Sequence, residues 1–287
     1  MFVGTSLSRG GSDGDGQLQR ACGKAYIALS GEGRDVRIDE LYQTSPCRIL
    51  LPRIDGFDQA EIVLVNSSGG IAGGDQLDYG VKVLGTATTL ATTQASEKVY
   101  GAIDSDARLT TTLSIGDGAT LEWLPQQTIA FEGARLRRRT EINVEGSGRL
   151  LALDWLVMGR RASGETISRG SLRDDWRVRR DGKLVWADAF QLTGDVDRLA
   201  ARPAALNGNH AIATIIYVAQ DSSERLTLAR DLIGESDAGA TVVGGILVAR
   251  FLAQDGLHLY RRVSAFLEEF RAQLLELRPW PPRLWTC

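Results

Sequence analysis

Histidine and cysteine are scarce in this chain, whose 287 residues hold 2 His and 3 Cys. His210 and His258 lie far apart in sequence. A histidine-based triad or a tight transition-metal site therefore has little material. The cysteines, Cys22, Cys47 and Cys287, are odd in number and form no C-x-x-C pair. That excludes a disulfide framework and suits a reducing compartment. Charge of one sign is also missing: 33 Lys+Arg face 36 Asp+Glu, a formal net charge of −3. A nucleic-acid binder normally shows a basic excess instead. No stretch approaches the roughly 18 apolar residues of a membrane span. The N-terminus lacks the positive segment and following apolar run of a secretory signal. Together these absences predict a cytoplasmic protein with neither a nucleic-acid nor a membrane partner. What is present, 43% hydrophobic and 24% charged residues, is enough to bury a full core without metal or disulfide staples.

Residues 1–16, MFVGTSLSRGGSDGDG, contain eight Gly or Ser and no periodicity. Such a segment buries too little apolar surface to offset its ordering entropy, which predicts a flexible tail. Residues 17–287 show no linker and no exact internal repeat, and are expected to form a single domain. Up to Ala219 they read as strand after strand. Period two, the mark of a half-buried strand, runs through Leu77, Tyr79, Val81 and Val83. Further strands are expected at 61–66, 108–115, 119–124, 140–145, 150–157 and 211–219. Asp-Gly pairs at Asp117-Gly118 and Asp181-Gly182 predict two hairpins. Helices are expected only late: 222–233, capped by Ser222 or Ser223, and 256–277. The second carries a stripe of Leu259, Val263, Phe266, Leu267, Phe270, Leu274 and Leu277. The fold class is thus mostly β, with about two helices near the C-terminus.

The Gly-rich segment Ser67–Asp75 follows a strand, as phosphate loops do. Its GGxxGG spacing is neither G-x-G-x-x-G nor a Walker loop. It predicts instead a tight turn whose glycines admit positive φ or a close backbone approach. In Thr92–Tyr100, Ser96 and Lys98 lack the S-x-x-K spacing of a nucleophile and its base. A polar β edge or a partner-facing surface is the expectation there. Arg135–Arg139 is a short basic run followed by acids. It reads as a solvated hairpin face or, in a sharper alternative, as a docking surface for an acidic partner. Asp75, Glu122 and Glu165 stand out among the carboxylates, each with a capping or salt-bridged role as the plain alternative.

Six segments in order, GGIAGGDQL (Gly69–Leu77), TTQASEKVY (Thr92–Tyr100), LEWLPQQTIAFEGARL (Leu121–Leu136), GRRASGE (Gly159–Glu165), RDGKL (Arg180–Leu184) and PPRLW (Pro281–Trp285), resemble the UreD (UreH) family of urease accessory proteins. The resemblance covers roughly residues 20–287. It implies an elongated β-helical or two-layer β scaffold without catalytic activity. Such a scaffold binds the urease apoprotein, UreF and the GTPase UreG, and nickel is inserted into the apo-enzyme. No cofactor is tightly bound, and Ni²⁺ is in transit. Isolated carboxylates suit transient nickel better than clustered His and Cys. Asp75, Glu122 and Glu165, each inside a family-like motif, are therefore the expected relay. Two departures stand against the family pattern. Asn66-Ser67-Ser68 replaces a His-Pro-Pro-like approach, and Gln126-Gln127 replaces Gln-Glu, which removes a carboxylate. The alternatives are a β-rich hydrolytic enzyme using Glu122, Asp154 and Glu165, a plain β-solenoid binding module, or a degenerate family copy.

Overall fold

Period-two alternation winds this chain into coils, and hairpins appear only at the edges. The structure, a computed structural model, describes residues 20–52, 59–159, 164, 167–234, 237–275 and 283–285. The predicted tail, Glu165 and Leu277 lie outside the described residues. The chain opens with β1 (Cys22–Gly33), β2 (Asp35–Gln43), β3 (Cys47–Leu50) and β4 (Ala60–Asn66). Strand β5 (Gln76–Gln94) is long enough to serve two sheets, and β6 (Glu97–Val99) follows it. The next coil holds β7 (Ala107–Ile115), β8 (Thr120–Trp123) and β9 (Thr128–Ala130), and the one after holds β10 (Arg135–Val144) and β11 (Arg149–Met158). Each coil runs up the first sheet, turns a corner and returns in the second. Parallel pairing therefore joins β5 to β7, β7 to β10, β5 to β8 and β8 to β11.

Asp117-Gly118 sits in one of these corners, which corrects the hairpin expected there: β7 and β8 belong to different sheets. The Asp117 carboxylate accepts the Ser147 N–H of the next corner at 2.7 Å, so the turn chemistry stacks coil on coil. At the β5 corner, Gly85 has φ +69°, and a Cβ there would lie 2.6 Å from the Gly31 carbonyl oxygen. Only glycine fits. The Asp181-Gly182 hairpin does form, joining β12 (Arg169–Arg180) to β13 (Lys183–Asp195) in antiparallel register.

After β13 come a five-residue helix α1 (Val196–Ala200), β14 (Ala211–Val218) and α2 (Leu226–Ile233). Strands β15 (Ala238–Val243) and β16 (Ile246–Ala253), the helix α3 (Gly256–Leu275) and a 3-10 turn (Arg283–Trp285) follow. Three of these depart from expectation. Helix α1 and the β15–β16 pair have no counterpart in the expected elements, and α2 begins at Leu226. The buried Ser222 hydroxyl instead accepts the Ala219 N–H at 2.9 Å, so it serves the preceding turn and not a helix cap. The first sheet has the order β2-β1-β5-β7-β10-β12-β13, and the second β3-β4-β5-β8-β11-β14-β16-β15.

The coils stack inward-facing residues into columns. Ile27, Val81, Leu113, Ile142 and Val178 form one such column through parallel register. All five are buried, and each contributes about 1.5–3 kcal/mol by leaving water. This core lies between the sheets. A second lies between the other face of the second sheet and α3, where Phe266 meets Phe251 edge-on at 5.2 Å. The columns preserve apolar character and not identity, which is why the sequence shows no exact repeat.

Candidate functional site

Four of the six signature segments come together at the rim where each coil passes from the second sheet back to the first. Ile71 accepts the Tyr100 N–H at 2.9 Å and donates to the Lys98 carbonyl at 2.7 Å. The Val99 carbonyl accepts from Phe131 at 3.0 Å, and the Ala130 carbonyl accepts from Gly159 at 2.9 Å. These bonds ladder the Gly-rich loop, the Thr92–Tyr100 segment, the end of the Leu121–Leu136 segment and Gly159 into one surface. Thr92–Tyr100 is therefore a rung of the coil and not a bare polar edge, since β6 pairs with β9 and Thr92 and Val99 are buried, while Gln94, Ala95, Lys98 and Tyr100 stay exposed. In the Gly-rich loop, a Cβ on Gly73 would lie 2.3 Å from the Ala102 Cβ. The loop is thus the tight turn with close approach that its spacing predicts.

Behind this rim the two sheets enclose a cavity of about 50 Å³, reached by Tyr79, Thr111, Arg138 and Thr140 from the first sheet and by Trp123 and Asp154 from the second. That volume holds one or two waters. Its centre is ionic. Arg138 occupies the column of Leu77, Leu109 and Asp174, where period two turns its side chain inward while Arg137 and Arg139 face solvent. This corrects the reading of Arg135–Arg139 as a hairpin face: β10 is an interior strand. Arg138 donates to Asp174 through Nε at 3.2 Å and Nη2 at 3.1 Å, and to the Thr128 hydroxyl at 2.8 Å. Its Nη2 also pairs with Asp154. Burial lifts the Asp154 carboxyl well above the carboxylate range. Arg138 opposes that rise, and the charge of Asp174 adds to it. Nearer the rim, burial pushes Glu97 up to about 7 against the hydrogen bonds from Asn66 and Lys98, and the charge of Asp75 adds to the rise.

The expected relay carboxylates Asp75 and Glu122 lie elsewhere. Asp75 is buried under the Gly-rich loop, where Oδ1 accepts the Ala21 N–H at 2.8 Å and Oδ2 the Ala72 N–H at 2.7 Å. Glu122 is 0% exposed on the helix-facing side of the second sheet. There Arg271 of α3 grips it through Nε and Nη2, each at 2.7 Å. Desolvation works against the Arg271 charge, but the Glu122 charge and hydrogen bonds outweigh it and hold the guanidinium above its usual range. Asp75 and Glu122 are not brought together, and Glu165 lies outside the described residues. Glu122 and Asp154 face opposite sides of one sheet, so they do not flank a single cleft as a hydrolytic pair must. Among the described residues no group of three or more His, Cys, Asp or Glu is placed to hold a metal ion.

Sequence reasoning misses the Arg138–Asp174 contact, although the alternation Leu136, Arg138, Thr140, Ile142 places Arg138 on the core face. Gln127, which departs from the family pattern, and its neighbour Gln126 are structural ties. Gln126 donates to the Leu284 carbonyl at 2.9 Å, and Gln127 to the Gly256 carbonyl at 2.8 Å. Among the described residues no helix is long and apolar enough to cross a membrane.

A family described as UreD urease accessory protein matches residues 21–286 of this chain. A urease accessory protein UreD from Chelativorans sp. is 41% identical over 271 residues, covering 94% of this chain and 95% of its own. One from Xanthobacter autotrophicus is 40% identical over 270 residues, with 93% and 91% covered. One from Agrobacterium fabrum is 42% identical over 255 residues, with 88% of each chain covered. With that coverage and those identities, the chain belongs to the UreD urease accessory protein family.

Proposed function

We propose that this chain serves urease maturation in the cytoplasm as a non-catalytic scaffold. In this reading it holds the urease apoprotein together with UreF and UreG while nickel is inserted into the apo-enzyme, with GTP hydrolysis supplied by UreG. The observation that carries the reading is the match to the UreD family across residues 21–286. The glycine spacing supports the division of labour, since Gly69–Gly74 is not a phosphate loop and energy coupling falls to a partner. Nickel is cargo and not a resident cofactor.

The proposed stops for nickel are Asp75, Glu122 and Glu165. Asp75 becomes a ligand by releasing the Ala21 and Ala72 amides. Glu122 becomes one only by giving up a bidentate guanidinium, which makes it the slower station. Reconstitution tests both levels. Urease and the other accessory proteins are co-expressed with and without this chain, and nickel per active site and urease activity are measured. Loss of both without the chain is expected, and full loading in its absence overturns the role. Asp75→Asn, Glu122→Gln and Glu165→Gln together are expected to lower loading. Unchanged loading by a folded triple variant refutes the relay while leaving the scaffold role standing.

A further inference from the structure

The outer face of the first sheet carries a row of arginines that the cavity does not use. Parallel register sets Arg108, Arg137 and Arg173 directly abreast on β7, β10 and β12, with Gln76 and Gln191 closing the row. Like charges side by side on neighbouring strands destabilise a sheet, so this row weakens the fold that carries it. Arg137 leans on Asp106 at 2.6 Å and Arg173 on Asp175 at 2.6 Å. Arg108 has no side-chain partner among the described residues. Arg139 and Arg179 add to the same face, sharing Glu141 at 2.7 and 3.8 Å. The face is basic on a chain whose formal net charge is −3, so it is a local counter-charge and not part of a general polycation.

We infer that this arginine row is the docking surface for an acidic helix of a partner protein, laid across the strands with its carboxylates on the three guanidiniums. The spacing selects a helix. Neighbouring strands stand about 4.8 Å apart, close to the roughly 5–6 Å between helix residues three or four apart. Alternate residues of an extended segment are separated by about 6.6–6.8 Å. Along the strands, moreover, Glu141 and Asp175 interrupt the positive charge, whereas across them the row is continuous. Guanidiniums also match carboxylates in pairs, which favours a few fixed acids over a diffuse polyanion.

The test uses the full chain and a labelled helical peptide bearing Glu at i, i+4 and i+7. A peptide of the same composition with Glu spread round the helix, and a 20-base-pair DNA duplex, serve for comparison. Anisotropy at low salt is expected to show saturable, salt-sensitive binding of the striped peptide. Exposed carboxylate–arginine pairs are worth about 0.2–1 kcal/mol each, so replacing Arg108, Arg137 and Arg173 by Gln together should weaken binding about tenfold. Arg108→Gln alone should weaken it severalfold, which guards against misfolding of the triple variant. Arg261→Gln, on exposed α3 surface, should leave binding unchanged. Absence of saturable binding, equal binding by the triple variant, or DNA bound as tightly as the peptide through the same arginines overturns the inference.

Discussion

Replacing Arg271 by methionine isolates the contact that fastens α3 to the coils. The wild-type pair is bidentate, with both bonds at 2.7 Å, and Nη2 reaches Gln59 at 3.2 Å as well. Glu122 is 0% exposed and Arg271 4%, so neither group is rescued by water when its partner leaves. Removing one member of a buried pair strands the other charge and costs about 3–5 kcal/mol. That is about two to four decades in the folding equilibrium. Urea unfolding at pH 7.5 reads the loss. The double variant Glu122→Leu/Arg271→Met should recover most of the loss, because apolar pairs of similar volume often replace buried ion pairs at little cost. A single-variant loss below about 1 kcal/mol, or a double variant no better than the single, refutes the claim that burial makes this pair a lock.

Three further outcomes are expected. Glu97 holds its proton up to about 7 in the folded chain against a usual value of 4.5. Its contribution is therefore complete at low pH and is lost as pH rises through about 7. Glu97→Gln should flatten that slope and, after allowance for partial exposure, stabilise the chain by about 1–3 kcal/mol at pH 8, read by thermal melts across pH. Gly73→Ala drives a methyl to 2.3 Å from Ala102 Cβ and 2.6 Å from the Ser105 carbonyl, and should cost about 1–3 kcal/mol in urea midpoint measurements. Trp285 packs against Trp155 at 4.8 Å with the rings tilted by 36°, and donates to the Leu124 carbonyl at 3.2 Å. Trp285→Ala should cost about 3–5 kcal/mol and abolish the coupled indole signal in near-ultraviolet circular dichroism.

Strands are legible in the sequence where alternation is unbroken and not masked by a run of charges, as at β7 and the second half of β10, and α3 is legible through its apolar stripe. Which strands pair is not. Asp117-Gly118 and Asp181-Gly182 look alike locally, yet one turns a corner between sheets and the other closes a hairpin. The difference lies in what waits across the turn, β11 in one case and an open edge in the other. Strand β15 stays hidden because its alternation runs between half-exposed and exposed positions, with Gly239 and Ala240 too small to mark a face. Its partner β16 is buried at six of eight positions, and a short apolar run of that kind reads equally as strand or helix. The resemblance locates Asp75 and Glu122 as residues of note. Their bonds, to loop amides and to a guanidinium 149 positions away, are set by tertiary approach that no local pattern encodes. The Arg138 centre is half legible, since its parity is core-facing and its acids come from other coils.

The lock between Glu122 and Arg271 also orders events during synthesis. Its two halves are 149 residues apart, and a ribosome adding roughly 5–20 residues per second separates them by roughly 7–30 s. From the emergence of β11 until α3 follows, the nascent second sheet presents Leu151, Leu153 and Trp155, later covered with α3, as an unclosed apolar face. A chain stalled before α3 is thus a sticky, uncapped sheet, and the yield of folded protein depends on how quickly α3 leaves the exit tunnel.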